Sequence, residues 1–208
     1  MIARARRTQE ERRAESRDRL LDAALECLAE RGHAGTTVAE VSKRAGLSIG
    51  CQQYHFPTKA DLLVATMERM FEQRRARFMQ ALEALPEGPD RAARGIELLW
   101  EEMKGDAFAA HLELVVASRT DPELRRHLRR LGDRMGDDVR RTFDEIVSLT
   151  PALAPYAHVL PALTFSVLEG LALGRMATPH RSDIEDAVRA LQDLSRQVFG
   201  SVEPRGCG

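Results

Sequence analysis

The 208-residue chain is poor in the residues that would point to several common classes. It has three cysteines, Cys27, Cys51 and Cys207, widely spaced and with no C-x-x-C pair, which argues against a disulfide framework and a cysteine zinc site. Aromatics make up 5% of the sequence, and β-branched residues nowhere alternate with polar ones, so no strand is expected. No stretch approaches the roughly 18 apolar residues of a membrane span, and no membrane association is expected. The basic start Met-Ile-Ala-Arg-Ala-Arg-Arg runs into Thr-Gln-Glu-Glu-Arg-Arg rather than an apolar segment. No secretory signal is read there, and the cytoplasm is the expected compartment. H-E-x-x-H, P-loop and dinucleotide fingerprints are all missing. A di-iron site in a helical bundle would need Glu-x-x-His on two helices; the chain has one, Glu30-x-x-His33, at a helix end. Neither a metal nor a cofactor is expected, and catalysis is the weakest reading.

What the chain has instead is Ala, Leu, Arg and Glu, all good helix formers, within 43% hydrophobic and 30% charged residues. The net charge of -1 conceals a gradient. Residues 1–59 carry 11 Lys and Arg against 8 Asp and Glu, whereas 60–208 carry 20 against 24. Between 31 and 59 the only acid is Glu40, facing Arg31, Lys43, Arg44 and Lys59. A basic patch on a near-neutral protein suits a confined contact with a polyanion.

Glycine and proline punctuate segments of helical period. A first helix is predicted from about Gln9 to Arg31, with the apolar stripe Leu20, Leu21, Ala24, Leu25 and Leu28 and with Gly32 as its C-cap. Thr37-Val38-Ala39-Glu40 reads as a capping box, opening a short helix that buries Val38, Val41 and Ala45 and stops at Gly46. Ser48 caps another short helix through about Tyr54. Pro57 breaks it, and Thr58-Lys59-Ala60-Asp61 starts a long helix. After the Pro86-Glu87-Gly88-Pro89 loop, helices are expected near 90–104, 106–119, 122–149, 155–177 and 182–199. Pro161 falls in the first turns of its helix or kinks it, and Ser182-Asp183-Ile184-Glu185 is a second capping box. The fold expected is all-α: an N-terminal three-helix helix-turn-helix domain at 1–59, with an arm at roughly 1–14, and a helical ligand-binding and dimerisation domain at 60–208.

Two short helices joined by a tight turn containing Gly46 form the helix-turn-helix pattern. The second must enter the major groove and present its N-terminal side chains to base edges, and the N-termini at Thr37 and Thr58 can offer backbone N–H groups to phosphate. In this stretch stand Thr36-Thr37, the helix from Val38, Ala45-Gly46-Leu47-Ser48, Gly50, Tyr54-His55-Phe56, and Lys59 before Leu62-Leu63. The segment resembles the signature of the tetracycline-repressor (TetR) family, strongly over roughly residues 15–70. The resemblance implies phosphate contacts at Thr37 and Lys59, base reading by Ser48, Ile49, Gly50 and Cys51, and a backbone contact by His55. The family's usual Leu-Tyr pair is replaced by Gln52-Gln53, with Tyr54 one place later. Gln53 can bind phosphate or an adenine edge, whereas Gln52 takes a place that usually faces the helix-turn-helix core. Tyr54 is a further candidate contact, or core like Phe56. Arg4, Arg6, Arg7, Arg12 and Arg13 read as a solvated tail or a minor-groove arm.

In the second half, the stripe Ile184, Ala187, Val188, Leu191, Leu194 and Val198, opposite Gly170, Ala172 and Gly174, predicts a homodimer through the last two helices. The resemblance implies a four-helix bundle there. Trp100, Met103, Phe108, His111, Phe143, Phe165 and Met176 are candidates to line a small-molecule pocket or to be ordinary core; Arg119 and Arg175 are the polar groups that could hold a carboxylate. The function these features imply is a ligand-responsive regulator, a repressor, that binds palindromic operator DNA as a dimer and is released by a small-molecule effector. The competing reading is an architectural DNA binder without a ligand, which would have no need of so long an acidic helical half.

Overall fold

The computed structural model describes residues 8–85, 89–146, 154–180 and 182–199. Arg4, Arg6, Arg7, most of the Pro86–Pro89 loop, Pro151 and Cys207 lie outside the described residues, as does the side chain of Val198. Among the described residues there are nine α-helices and no strand: α1 (Gln9–Gly35), α2 (Val38–Ala45), α3 (Ile49–His55), α4 (Lys59–Glu83), α5 (Pro89–Met103), α6 (Asp106–Ala117), α7 (Pro122–Ile146), α8 (Leu160–Ala177) and α9 (Asp183–Phe199). The expected all-α fold is what forms. Among the described residues, no helix is long and apolar enough to cross a membrane.

The chain divides into two compact units, one within Met1–Glu72 and Ala109–Leu131, the other within Gln73–Phe108 and Gly132–Gly208. In the first, the predicted α1 stripe packs with α2, α3 and the start of α4 around Leu20, Leu21, Ala24, Cys27, Val41, Ala45, Phe56 and Leu62. Thr8 and Glu11 close a reciprocal capping box that starts α1. Its regular part ends at Gly32, in the left-handed region (φ 64°), and one further turn to Gly35 follows. Only glycine suits that place. The backbone is left-handed, and a Cβ would stand 2.6 Å from the Glu113 carboxylate. That carboxylate accepts from the His33 N–H at 2.9 Å, tying α6 to the end of α1.

In the second unit α5 and α9 run antiparallel, pinned near both ends. Trp100 Nε1 donates to Glu185 Oε2 at 3.0 Å, and Arg196 Nε donates to Asp90 Oδ1 at 2.9 Å. Trp100 is only 2% exposed, with Ile96, Met103, Ile184 and Val188 also buried. The expected capping role of Glu185 thus yields to a longer-range bond. A single 3-10 turn at Ala154–Tyr156 precedes α8, which begins at Leu160 with Pro161 in its first turn. There the ring's missing N–H costs no helical hydrogen bond.

Trp100→Ala is expected to lower the stability of the second unit by about 3–5 kcal/mol, the usual cost of emptying a buried aromatic site. Trp100→Phe should cost less, because it keeps most of the apolar volume and loses only the bond to Glu185. Denaturant midpoints of the two variants check this; equal midpoints for wild type and Trp100→Ala would contradict it.

Candidate nucleic-acid interface

The second short helix, α3, has seven residues, too few to hold its shape alone. Its seat is built from both ends. At the N-terminus the Ser48 Oγ accepts from the Cys51 N–H at 3.1 Å. At the C-terminus Phe56 is buried and its N–H closes on the Gln52 carbonyl at 2.7 Å. The preceding turn is a Schellman closure: Gly46 is left-handed (φ 62°), Leu47 N–H bonds the Ser42 carbonyl at 2.9 Å, and Gly46 N–H bonds that of Lys43 at 3.1 Å. Arg19 of α1 donates to the Ala45 and Gly46 carbonyls at this same corner.

Between the two helices lies a buried polar pair. Gln52 has no exposed surface and accepts from the Ser42 hydroxyl at 2.8 Å. Its Nε2 has no hydrogen-bond partner among the described residues. The place expected to face the core does so, and the amide it buries there is half satisfied. Ser48, Ile49, Gly50, Gln53 and Tyr54 are exposed, and Cys51 is half-buried. Ile49 with Gln53 and Gly50 with Tyr54 stand one turn apart, so they share the outward face opposite Gln52.

Around this face the other candidates take different situations. Thr37 caps α2, its Oγ1 accepting from Glu40 N–H at 3.2 Å, which leaves the hydroxyl proton free to donate. The Glu40 carboxylate does not return the bond; it pairs with Arg31 at 3.1 Å. Thr58 and Asp61 cap α4 reciprocally. Lys59 is half-buried and its Nζ donates to the His33 carbonyl at 2.7 Å. Burial pushes the Lys59 ammonium below its ordinary pKa, with the charge of Asp121 acting the other way.

His55 stands edge-on to Tyr54, with ring centroids 5.3 Å apart. Burial first, then the charges of Arg13 and Arg17, lower its pKa from the ordinary 6.5. His33 is lowered as well, by burial and then by Lys59, against the opposing charges of Asp121 and Glu113. Both rings are therefore neutral near neutrality.

The ligand candidates are divided between the two units. Trp100, Met103 and Phe108 are buried in the second unit. Phe143 and Phe165 are half-buried there, and Met176 is 53% exposed on α8. His111 belongs to the first unit, its ring edge-on to Phe71 at 5.5 Å. Arg119 is exposed and Arg175 half-buried. Three polar groups of the second unit were not singled out from the sequence. Arg74 lies over the Phe165 ring at 5.7 Å, its pKa lowered chiefly by burial. The Thr142 hydroxyl and the Arg91 Nε are buried without a hydrogen-bond partner among the described residues. Arg74 sits in Gln73-Arg74-Arg75-Ala76-Arg77, which reads in sequence as a solvated charge run.

Two measurements follow. Ser42→Ala strips the buried Gln52 amide of its one bond and should cost about 1–3 kcal/mol, whereas Ser42→Ala with Gln52→Leu removes both polar ends and should be near neutral or stabilising. A double variant no more stable than Ser42→Ala would refute the seat described. The two histidines act on acid stability. Because their folded pKa values lie below 6.5, the unfolded chain binds protons first, so stability is complete above that pH and is lost as the pH falls through it. His33→Asn and His55→Gln should each reduce the fall in unfolding midpoint between about pH 7 and about pH 5.

Residues 20–66 match the family described as "Bacterial regulatory proteins, tetR family". Over 194 residues the chain is 40% identical to the HTH-type transcriptional regulator CymR of Pseudomonas putida, a match spanning 93% of this chain and 96% of that one. Among solved structures, a transcriptional regulator from Rhodococcus sp. Rha1 is similar with a TM-score of 0.69 at 24% identity, covering 91% of this chain and 100% of its own. The multidrug binding protein EbrR, solved with imidazole, reaches 0.64 at 26% identity, covering 99% and 100%. With a helix-turn-helix in place and such a relative along nearly the whole of both chains, this protein belongs to the TetR family of bacterial transcriptional regulators.

Proposed function

We propose that the chain is a ligand-responsive repressor that binds a palindromic operator as a homodimer and leaves it when a small-molecule effector binds. Ser48, Ile49, Gly50, Cys51 and Gln53 read bases from α3 in the major groove. Thr37, Tyr54, His55 and Lys59 hold the flanking phosphates; Lys59 keeps two N–H donors beyond the one given to His33. EbrR is described as a multidrug binding protein and was solved with imidazole, which supports a small-molecule role for the second unit. The effector site we propose there draws on Trp100, Met103, Phe108, Phe143 and Phe165, with Met176 at its margin. Action in the cytoplasm is part of the same reading.

The observation that carries dimerisation is the uncovered face of α8. Opposite buried Leu168 and Ala172 stand Ala162, Leu163, Ser166, Val167, Gly170, Leu173 and Ala177, without one charge among them. Leu163 is 58% and Leu173 47% exposed, Leu194 of α9 is exposed too, and a Cβ placed on Gly170 would meet nothing within 4 Å. A charge-free row of large and small residues is what a helix shows when a second helix packs on it. A two-fold pair of such faces would place two recognition helices on two half-sites.

Leu173→Asp tests the reading with little harm to a lone chain, because the side chain is already half exposed. The variant should keep its helix content, sediment as a monomer at micromolar concentration, and lose most of its affinity for fragments that the wild type selects from genomic DNA. A variant that remains dimeric would show that the seam lies elsewhere.

A further inference from the structure

Several cations of the first unit are neutralised by carboxylates, and two beside α3 are not. Arg44 is paired with Glu30 at 2.6 Å and Glu26 at 3.5 Å, Arg31 with Glu40 at 3.1 Å, and Arg69 with Asp18 and Asp22. Arg13 and Arg17 are exposed, and neither has a carboxylate within ion-pair distance among the described residues. They stand one turn apart on α1, so they share a face, and both lean over aromatic rings instead. The Arg13 guanidinium carbon lies 4.9 Å from the Tyr54 ring centroid, and that of Arg17 lies 5.6 Å from the ring of Phe56. Tyr54 is 63% exposed, on the outward face of α3 one turn from Gly50. Aromatic faces fix the planes of the guanidinium forks without consuming their N–H donors.

We propose that Arg13 and Arg17 of α1, held over Tyr54 and Phe56 beside His55, form a phosphodiester-binding shelf at the edge of the recognition helix. A planar fork with free donors matches two phosphate oxygens, and the Tyr54 hydroxyl adds a donor at the same edge. These arginines sit on a helix and not on an extended arm, so they grip the backbone and carry no base reading. The His55 pKa, lowered first by burial, is lowered further by the two guanidinium charges beside it, which fits the same picture. The shelf rests on the DNA-binding reading above and adds two phosphate ligands to it.

The test is the salt dependence of binding to a short duplex of random sequence, where phosphate contacts supply nearly all the affinity. Arg13→Gln with Arg17→Gln should make the slope of log K against log salt shallower by about 0.9 per lost contact, close to 2 for each protomer. The unfolding midpoint should stay near that of the wild type, since both side chains are exposed. Arg13→Lys with Arg17→Lys should restore the slope while recovering only part of the affinity, because charge returns without the fork. Tyr54→Ala should weaken binding severalfold with the slope preserved. A glutamine double variant with the wild-type slope would overturn the shelf. A wild-type chain that binds neither random nor selected duplexes would overturn the DNA reading itself, which is a distinguishable result.

Discussion

A helix of seven residues cannot pay its own nucleation, so everything α3 does depends on what it leans against. Three fixtures supply that support: the Ser48 cap, the Phe56 anchor in the α1–α2–α4 core, and the buried bond from Ser42 to Gln52. Two are local, and the third is a side-chain bond between helices. A leucine at position 52 would bury more apolar surface and leave no orphan amide. The glutamine costs stability, yet it ties α3 to α2 by a directional bond that tolerates little sliding. Polar groups buried at a packing seam trade energy for a defined register, and in a recognition helix the register decides which side chains meet the groove.

The same economy governs charge. Arg31, Arg44 and Arg69 find carboxylates on α1 or α2, whereas Arg13, Arg17 and Arg19 find rings or carbonyls. Arg19 spends its donors on the exposed end of α2, Lys59 on the His33 carbonyl, and Arg13 and Arg17 lean on aromatic faces. A guanidinium over a ring or at a carbonyl keeps its full charge, whereas one beside a carboxylate is cancelled. The net result is that the guanidinium charges of Arg13 and Arg17, uncancelled by carboxylates, stand together beside α3.

Much of this was legible from local sequence, and the gaps have a common cause. Stripes such as Leu20-Leu21-Ala24-Leu28 and stops such as Gly46 and Pro57 act within a turn or two, so the helices fall close to where periodicity places them. The inward turn of position 52 was legible too. Glu40 and Glu185 were read as capping partners three residues away, but each goes to a distant group, Arg31 and Trp100 respectively. The left-handed Gly32 was anticipated as a stop, while the further turn to Gly35 and the Glu113 carboxylate lying against it were not. Nothing in the residues around Glu113 announces that it will cap the end of α1 eighty positions earlier. Likewise Arg13 looked like part of a basic tail, because its ring partner lies on another helix. Contacts that join helices far apart in sequence leave no periodic trace.

The composition of the reading face then bears on how such a protein distinguishes sites. Ile49 and Cys51 offer little hydrogen bonding, Gly50 offers only backbone, and Gln53 alone has an amide able to meet an adenine edge in two places. Ser48 contributes one hydroxyl, already accepting from Cys51. If this face reads bases as proposed, few directional contacts would leave the discrimination per half-site small, since each good bidentate pair is worth roughly 1–3 kcal/mol. Phosphate contacts raise affinity for all sequences alike and cannot supply the difference. On the proposed reading, discrimination would come from methyl contacts by Ile49, from the shape of the duplex held between phosphates, and from requiring two half-sites at a fixed spacing. In the proposed dimer the last would multiply a modest preference by itself, which would make the charge-free face of α8 as important to specificity as any side chain on α3.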